Sequence, residues 1–148
     1  MIGHIGFIGF GEAGWSFSSG LRKANPNLRI TAYDIRFSTN KGMRDRAAAL
    51  GVIAVDAVDA SIAEPDMVLS FVVAKASVEV AEASAVVMHT GQFYVDCNST
   101  SPQMKQRVEV ALADCRAGMV DAAVMSGLPG NRHKVPMNLS GRDAGEAS

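Results

Sequence analysis

The stretch Gly6-Phe7-Ile8-Gly9-Phe10-Gly11-Glu12-Ala13-Gly14 decides the fold. It follows an apolar opening segment and leads directly into a helix-like segment at 15–24. Its last three glycines have the spacing G-x-G-x-x-G between a predicted strand and a predicted helix, which is typical of a dinucleotide-binding turn. The first permits a tight turn, the second lets a pyrophosphate approach the backbone, and the third lets helix and strand pack closely. The free N–H groups and the helix dipole would hold the phosphates, so the predicted cofactor contacts are Gly9, Phe10, Gly11, Glu12, Ala13 and Gly14.

An acidic residue follows this turn at the distance that dinucleotide binding requires. About twenty residues after Gly14, an apolar run ends at Asp34, whose carboxylate can accept both hydroxyls of an adenosine ribose. Ile35 and Arg36 come next and complete this part of the predicted site. A guanidinium at Arg36 could pair with the 2′-phosphate of NADP. The charge of Asp34 would repel that phosphate, so we predict NAD as the cofactor, with NADP as the second choice.

Glu12 lies beside the predicted pyrophosphate site. A carboxylate at a helix start interacts favourably with the helix dipole, but it would repel a diphosphate if it pointed inward. We therefore expect the Glu12 side chain to point outward.

Three other interpretations of the glycine turn stay open. It could be a glycine-rich connection that binds nothing, although this leaves the position of Asp34 to chance. It could belong to a domain that binds a dinucleotide as a sensor or scaffold, without catalysis. A methyltransferase also has a glycine-rich first turn and an acid after its second strand, but the three-glycine spacing and the sequence signature at the strand predicted for 119–124 fit that class poorly.

Composition narrows the function class further. The 148 residues, of which 48% are hydrophobic and 20% charged, are typical of one soluble globular domain, so we take 1–148 as a single domain. A net charge of −1 gives no basic surface for nucleic acid. No apolar run approaches the ~20 residues of a membrane span. Two cysteines and no secretory signal favour a reduced, cytoplasmic protein, and the three scattered histidines indicate no metal site.

Short apolar runs alternate with helical patterns along the whole chain. The run at 67–73 has Ser70 as its only polar member, which predicts burial of both strand faces. A β-α-β-α order implies an α/β fold with a doubly wound parallel sheet and right-handed crossovers. The predicted strands are 2–8, 28–34, 52–55, 67–73, 92–97, 119–124 and 136–140. The predicted helices are 13–24, 39–50, 75–89 and one that starts at Pro102 and ends before Gly118.

Further candidate residues follow the other strands, because ligands bind beyond the carboxyl ends of a parallel sheet. Val72-Val73-Ala74 could flank the adenosine, or its valines could simply be core residues. Asn98 and Ser99 could bind the nicotinamide ribose or a substrate carboxylate, or belong to a polar run in which Ser101 caps the next helix. Ser126-Gly127 could present N–H groups to a substrate acid, or form a surface turn.

These motifs together resemble the β-hydroxyacid dehydrogenase family, which includes 3-hydroxyisobutyrate and 6-phosphogluconate dehydrogenases. The opening motif is similar to G-x-I-G-x-G-x-M-G, the segment 96–102 to D-x-S-T-x-x-P, and the segment 121–127 to D-A-P-V-S-G-G. The resemblance spans essentially the whole chain. Ala13 replaces the usual methionine, Asn98 and Met125 replace serines, and these differences leave the substrate open.

The resemblance implies an oxidoreductase that transfers hydride between a small hydroxy acid and the nicotinamide ring. Family members have a second, helical domain that supplies a catalytic lysine and an asparagine that orients the substrate. Nothing after Gly141 resembles that domain, so we expect no catalytic residue in this chain. It would be the cofactor-binding half of a longer enzyme, binding cofactor with little turnover, and a homodimer is a further expectation.

Overall fold

The computed structural model describes residues 2–124, 137–140 and 145, and these residues form one seven-stranded sheet with helices on both faces. The strands are β1 His4–Ile8, β2 Arg29–Tyr33, β3 Ile53–Ala54, β4 Met67–Ser70, β5 Phe93–Asp96, β6 Gly118–Val124 and β7 Met137–Ser140. The helices are α1 Glu12–Ala24, α2 Lys41–Ala49, α3 Ser77–Val87 and α4 Pro102–Ala111. Short 3₁₀ helices occur at Ile35–Ser38, Val58–Ser61 and Ala74–Ala76.

The strand order is β3-β2-β1-β4-β5-β6-β7, with β1 at the point where the order reverses. Strand β1 pairs in parallel with β2 on one side and with β4 on the other. The first six strands are all parallel. This arrangement confirms the doubly wound α/β fold, and the reversal leaves a crevice between the carboxyl ends of β1, β2 and β4.

The edge strand β7 departs from the parallel arrangement. It pairs antiparallel with β6, with Val124 opposite Met137 and Asp121 opposite Ser140. Since β7 starts beside the end of β6, the chain reverses direction here instead of returning to the opposite edge of the sheet. The predicted loop at 125–135 and the predicted helix start after Gly141 lie outside the described residues.

Alternate residues of the central strands point to opposite faces of the sheet. On one face, Phe7, Ile30 and Leu69 pack with residues of α1 and α2, including Phe17 and Ala47. On the other face, residues of β1, β4 and β5 pack with α3 and α4, and the buried members include Ile8, Val68, Tyr94, Val78 and Val108. Both faces of β4 are therefore covered, as its apolar sequence, with Ser70 as its only polar residue, predicts.

None of the helices formed by the described residues is long and apolar enough to cross a membrane.

Gly6 has a packing role that no sequence pattern predicts. The 3₁₀ helix at Val58–Ser61 crosses β1 so closely that a Cβ on Gly6 would overlap the carbonyl oxygen of Ser61. The same Cβ would lie 2.7 Å from Cγ of Pro65. Absence of a side chain here lets the loop before β4 close over the central strand.

The substitution Gly6→Ala is expected to lower the free energy of unfolding by about 2 kcal/mol, as overpacking against backbone commonly does. Gly3→Ala is the matched control on the same segment, because its Cβ would make an ordinary 3.8 Å contact with Oδ2 of Asp66. Urea unfolding followed by circular dichroism measures both variants. Equal midpoints for the two would contradict the close crossing.

Candidate functional site

The glycine turn after β1 places the start of α1 at the crevice. Gly9 has a φ of +90°, which favours glycine, and its N–H donates to the carbonyl oxygen of Tyr33 at 2.8 Å. A Cβ on Gly9 would overlap the carbonyl oxygen of Phe71, and one on Gly14 would lie 2.7 Å from the carbonyl oxygen of Gly9. Gly11 caps α1 without a side chain that could accept from the first N–H groups. The first residues of α1 line the crevice, where an anion could accept hydrogen bonds from these N–H groups.

Asp34 connects the end of β2 to this turn. Its Oδ2 accepts from the N–H of Phe10 at 2.8 Å, and its Oδ1 accepts from the N–H of Arg36 at 2.9 Å. The Arg36 guanidinium pairs with the same carboxylate, with Nε 3.0 Å from Oδ1 and Nη2 2.9 Å from Oδ2. The carboxylate is almost fully buried, whereas the Arg36 side chain is 57% exposed. Arg36 also lies over the turn, because a Cβ on Gly11 would be 3.2 Å from its Nη2.

The pKa of Asp34 follows from opposing effects. Burial by itself would raise the pKa, but the hydrogen bonds from the Arg36 side chain and from the N–H groups of Phe10 and Arg36 outweigh it and lower the pKa. The same pairing raises the pKa of Arg36. Asp34 is therefore an ionised acceptor at neutral pH.

A cleft of about 690 Å³ opens between these elements. Its predicted members are Gly9, Gly11, Glu12, Ala13, Asp34, Ile35, Arg36, Val72 and Val73. Two of these lining residues, Ile35 and Val73, are apolar and yet 78% and 63% exposed. Such surfaces suit the flat faces of an aromatic base. Phe10, Gly14, Ala74 and Asn98 are not among the lining residues; Phe10 is a buried core residue that contributes its N–H to Asp34.

Helix α3 contributes one wall of the cleft that sequence reasoning missed. The additional lining residues are Ile8, Tyr33, Val58, Phe71, Ala76, Glu79, Val80 and Ala83. Ala76, Val80 and Ala83 follow the spacing of one helical face, so the periodicity was present in the sequence. The periodicity does not indicate which neighbouring element this helical face contacts.

Asn98 lies behind the cleft wall and connects the ends of two strands. Its Nδ2 donates to Oδ1 of Asp96 at 2.7 Å and to Oγ of Ser70 at 3.1 Å. Its Oδ1 accepts from the N–H of Val72 at 2.7 Å. Both amide protons are thus used within the protein, and the side chain fixes the position of the lining residue Val72.

The other predicted substrate residues differ in where they lie. Ser99 is exposed in the turn after β5. Ser101 caps α4, since its Oγ accepts from the N–H of Met104 at 3.3 Å, as its sequence context predicts. Cys97 is buried, and burial raises the pKa of its thiol to about 12, which opposes formation of the nucleophilic thiolate. Ser126 and Gly127 lie outside the described residues.

Comparison with known proteins shows the family of this domain. The family model described as the NAD binding domain of 6-phosphogluconate dehydrogenase matches residues 4–143. The chain belongs to this family of NAD-binding domains. Its cofactor class is therefore a nicotinamide dinucleotide, and the domain is of the hydroxyacid dehydrogenase type. No curated protein sequence matches the chain.

Solved structures agree with the family assignment. A conserved hypothetical protein from Sinorhizobium meliloti 1021 has 39% identity and a TM-score of 0.92 over 99% of this chain and 50% of its own. The conserved protein MTH1747, described as structurally similar to 3-hydroxyacid dehydrogenases, has 26% identity and a TM-score of 0.81 over 97% of this chain and 52% of its own. The 3-hydroxyisobutyrate dehydrogenase of Mycobacterium tuberculosis, at 20% identity and a TM-score of 0.77 over 88% of this chain and 43% of its own, shares the fold. The chain thus spans about half the length of these proteins.

A buried charge cluster supports the strand ends of this NAD-binding domain. Nζ of Lys105 on α4 lies 3.1 Å from Oδ2 of Asp96 and 2.7 Å from Oδ1 of Asp121. The Asp96 side chain is fully buried, and that of Lys105 is 17% exposed. Asp96 and Asp121 are direct neighbours across β5 and β6. Asp96 also accepts a hydrogen bond from Asn98, and Asn98 in turn holds Val72 in the cleft wall. The Lys105 ammonium group therefore offsets the charge of a carboxylate on which the position of Val72 depends.

Replacing Lys105 with methionine is expected to lower the free energy of unfolding by about 3 kcal/mol, because the buried Asp96 would lose its cation. The control Lys41→Met breaks an ion pair with Asp45 whose side chains are 87% and 63% exposed, and should cost at most about 0.5 kcal/mol. Thermal unfolding of both variants measures the difference. Similar losses would show that the Lys105 pairs are not balancing a buried charge.

Proposed function

We propose that this chain binds NAD as the cofactor-binding half of an oxidoreductase that acts on a small hydroxy acid. The observation that supports the proposal is the ionised Asp34 carboxylate beside the glycine turn, in a cleft at the point where strand order reverses. The S. meliloti relative and MTH1747 share this domain over about half of their lengths. The remaining half of such an enzyme would provide the groups that act on the substrate.

Each part of the dinucleotide has a proposed position in the cleft. The pyrophosphate would accept hydrogen bonds at the start of α1, from the segment Gly9–Gly14. The adenosine ribose would face Asp34, and the adenine would lie between the exposed side chains of Ile35 and Val73, with Ala74 beside it. The nicotinamide would extend toward the end of β5, near Asn98. When bound, NAD supplies the hydride acceptor, and this domain positions it.

The pairing of Asp34 with Arg36 underlies our choice of NAD over NADP. A ribose with a free 2′-hydroxyl can donate to the carboxylate, provided that the exposed Arg36 guanidinium rotates aside. A 2′-phosphate would gain Arg36, but it would also lie beside the buried charge of Asp34. Because the Phe10 N–H and the Arg36 N–H hold Asp34 in place, the acid cannot withdraw from that phosphate.

The substrate assignment is proposed from the family. MTH1747 is described as similar to 3-hydroxyacid dehydrogenases, and a hydroxy acid needs donors for its carboxylate. We propose Ser99, Ser126 and Gly127 for that role. Asn98, the fourth residue predicted to bind substrate, has both amide protons engaged by Asp96 and Ser70. Two free cysteines, Cys97 and Cys115, suit our proposal that the protein works in the cytoplasm.

Titration with NADH and then NADPH tests the cofactor proposal, with quenching of Trp15 emission as the signal. We expect saturable quenching and tighter binding of NADH. Asp34→Asn should weaken NADH binding about tenfold, since a hydrogen bond to a charged group is replaced by one to a neutral group. Arg36→Met should weaken NADPH binding more than NADH binding. Absence of saturable binding, checked by equilibrium dialysis, would refute the proposal.

We further expect the 148-residue chain to bind cofactor without appreciable oxidation of hydroxy acids. The resemblance assigns proton transfer to a lysine of a second domain, and Lys105 at this edge of the sheet is engaged by Asp96 and Asp121. NADH formation with 3-hydroxyisobutyrate and with 6-phosphogluconate measures the activity. Sustained turnover by the chain alone would contradict this division of roles.

A further inference from the structure

Glu12 places a negative charge at the rim of the proposed pyrophosphate site. It is the first residue of α1, it follows the capping residue Gly11, and it lines the cleft. Its side chain is 81% exposed and points outward, as expected. A fixed carboxylate near a diphosphate nevertheless opposes binding, because like charges repel through water at such distances.

Arg46 on α2 meets this carboxylate directly. Its Nη1 lies 2.8 Å from Oε1 of Glu12. The guanidinium also lies over the ring of Trp15, 4.5 Å from the centroid. The Arg46 side chain is therefore held by an ion pair with Glu12 and by a cation–π contact with Trp15. This contact joins α2 to the start of α1, which lines the cleft.

Protonation of Glu12 does not remove its repulsion of a bound diphosphate at neutral pH. The hydrogen bond and the charge of Arg46 lower the pKa of Glu12 below its ordinary value. The carboxylate is thus ionised at neutral pH, and compensation must come from a neighbouring cation. Arg36, the other guanidinium close to the turn, is paired with Asp34.

We infer that Arg46 is a positioning residue of the dinucleotide site: it holds the Glu12 carboxylate outward and neutralises it, so that the start of α1 accepts a diphosphate. The inference rests on the proposed function and adds an affinity determinant outside the glycine turn. Arg46 acts through Glu12 and needs no contact with the cofactor.

The chain contains a closely matched control on the same helix. Arg44 also pairs with a carboxylate, with its Nη1 2.7 Å from Oδ1 of Asp56, and its guanidinium lies 5.8 Å from the ring centroid of Phe37. The two arginines therefore share residue type, helix, ion pair and ring contact. They differ in the acid, because Glu12 lines the cleft and Asp56 is not among the lining residues.

The experiment measures the NADH dissociation constant by the emission of NADH itself, because Arg46 substitutions change the surroundings of Trp15. Arg46→Met should weaken binding about fivefold at low ionic strength, as expected for one uncompensated charge near a diphosphate. The loss should shrink as added salt screens the charge. Arg44→Met should bind NADH like the wild type, and melting curves confirm that each variant is folded.

Rescue distinguishes neutralisation from a structural role. Glu12→Gln removes the carboxylate charge that Arg46 offsets, so adding Arg46→Met to Glu12→Gln should cause no loss of NADH affinity relative to Glu12→Gln alone. If the double variant is as weak as Arg46→Met alone, or if Arg46→Met matches Arg44→Met, the inference is overturned while NADH binding by the wild type stands. If the wild type binds neither NADH nor NADPH, the proposed function fails and the inference fails with it.

Discussion

The backbone of β1 and of the turn that follows it is so closely surrounded that two positions, Gly6 and Gly9, leave no room for a side-chain atom. At Gly6 the limit is the carbonyl of Ser61, and at Gly9 it is the carbonyl of Phe71. The second contact fixes where the chain turns from β1 into α1. Because the turn is fixed, the N–H groups at the start of α1 and the carboxylate at the end of β2 face the same crevice.

The sequence was sufficient for those parts of the molecule that depend on local chemistry. The glycine spacing located the turn, the end of an apolar run located Asp34, and Ser101-Pro102 located the start of α4. Apolar runs separated by helical patterns predicted a parallel sheet, which is confirmed for the first six strands. Each of these features is decided by residues within one or two elements, which is the range over which periodicity and turn chemistry operate.

Other features depend on which distant elements meet, and no local pattern contains that information. The crossing over Gly6, the wall from α3 and the reversal at β7 are of this kind. Side-chain conformation sets a second limit, because the sequence placed Asp34 and Arg36 two residues apart without indicating a bidentate pair. Asn98 is similar: its residue type suggested a ligand contact, but its partners in the structure are Ser70, Val72 and Asp96.

The hydrogen bond from the Phe10 N–H to Asp34 has a consequence for cofactor engineering. The acid that would select the ribose is also the acceptor that holds the glycine turn against β2. A search for altered coenzyme preference that starts by removing this acid would loosen the scaffold at the same step, since a buried N–H would lose its acceptor. The neighbouring guanidinium of Arg36 is more than half exposed. Substitutions of Arg36 should therefore change coenzyme preference with less loss of stability than substitutions of Asp34.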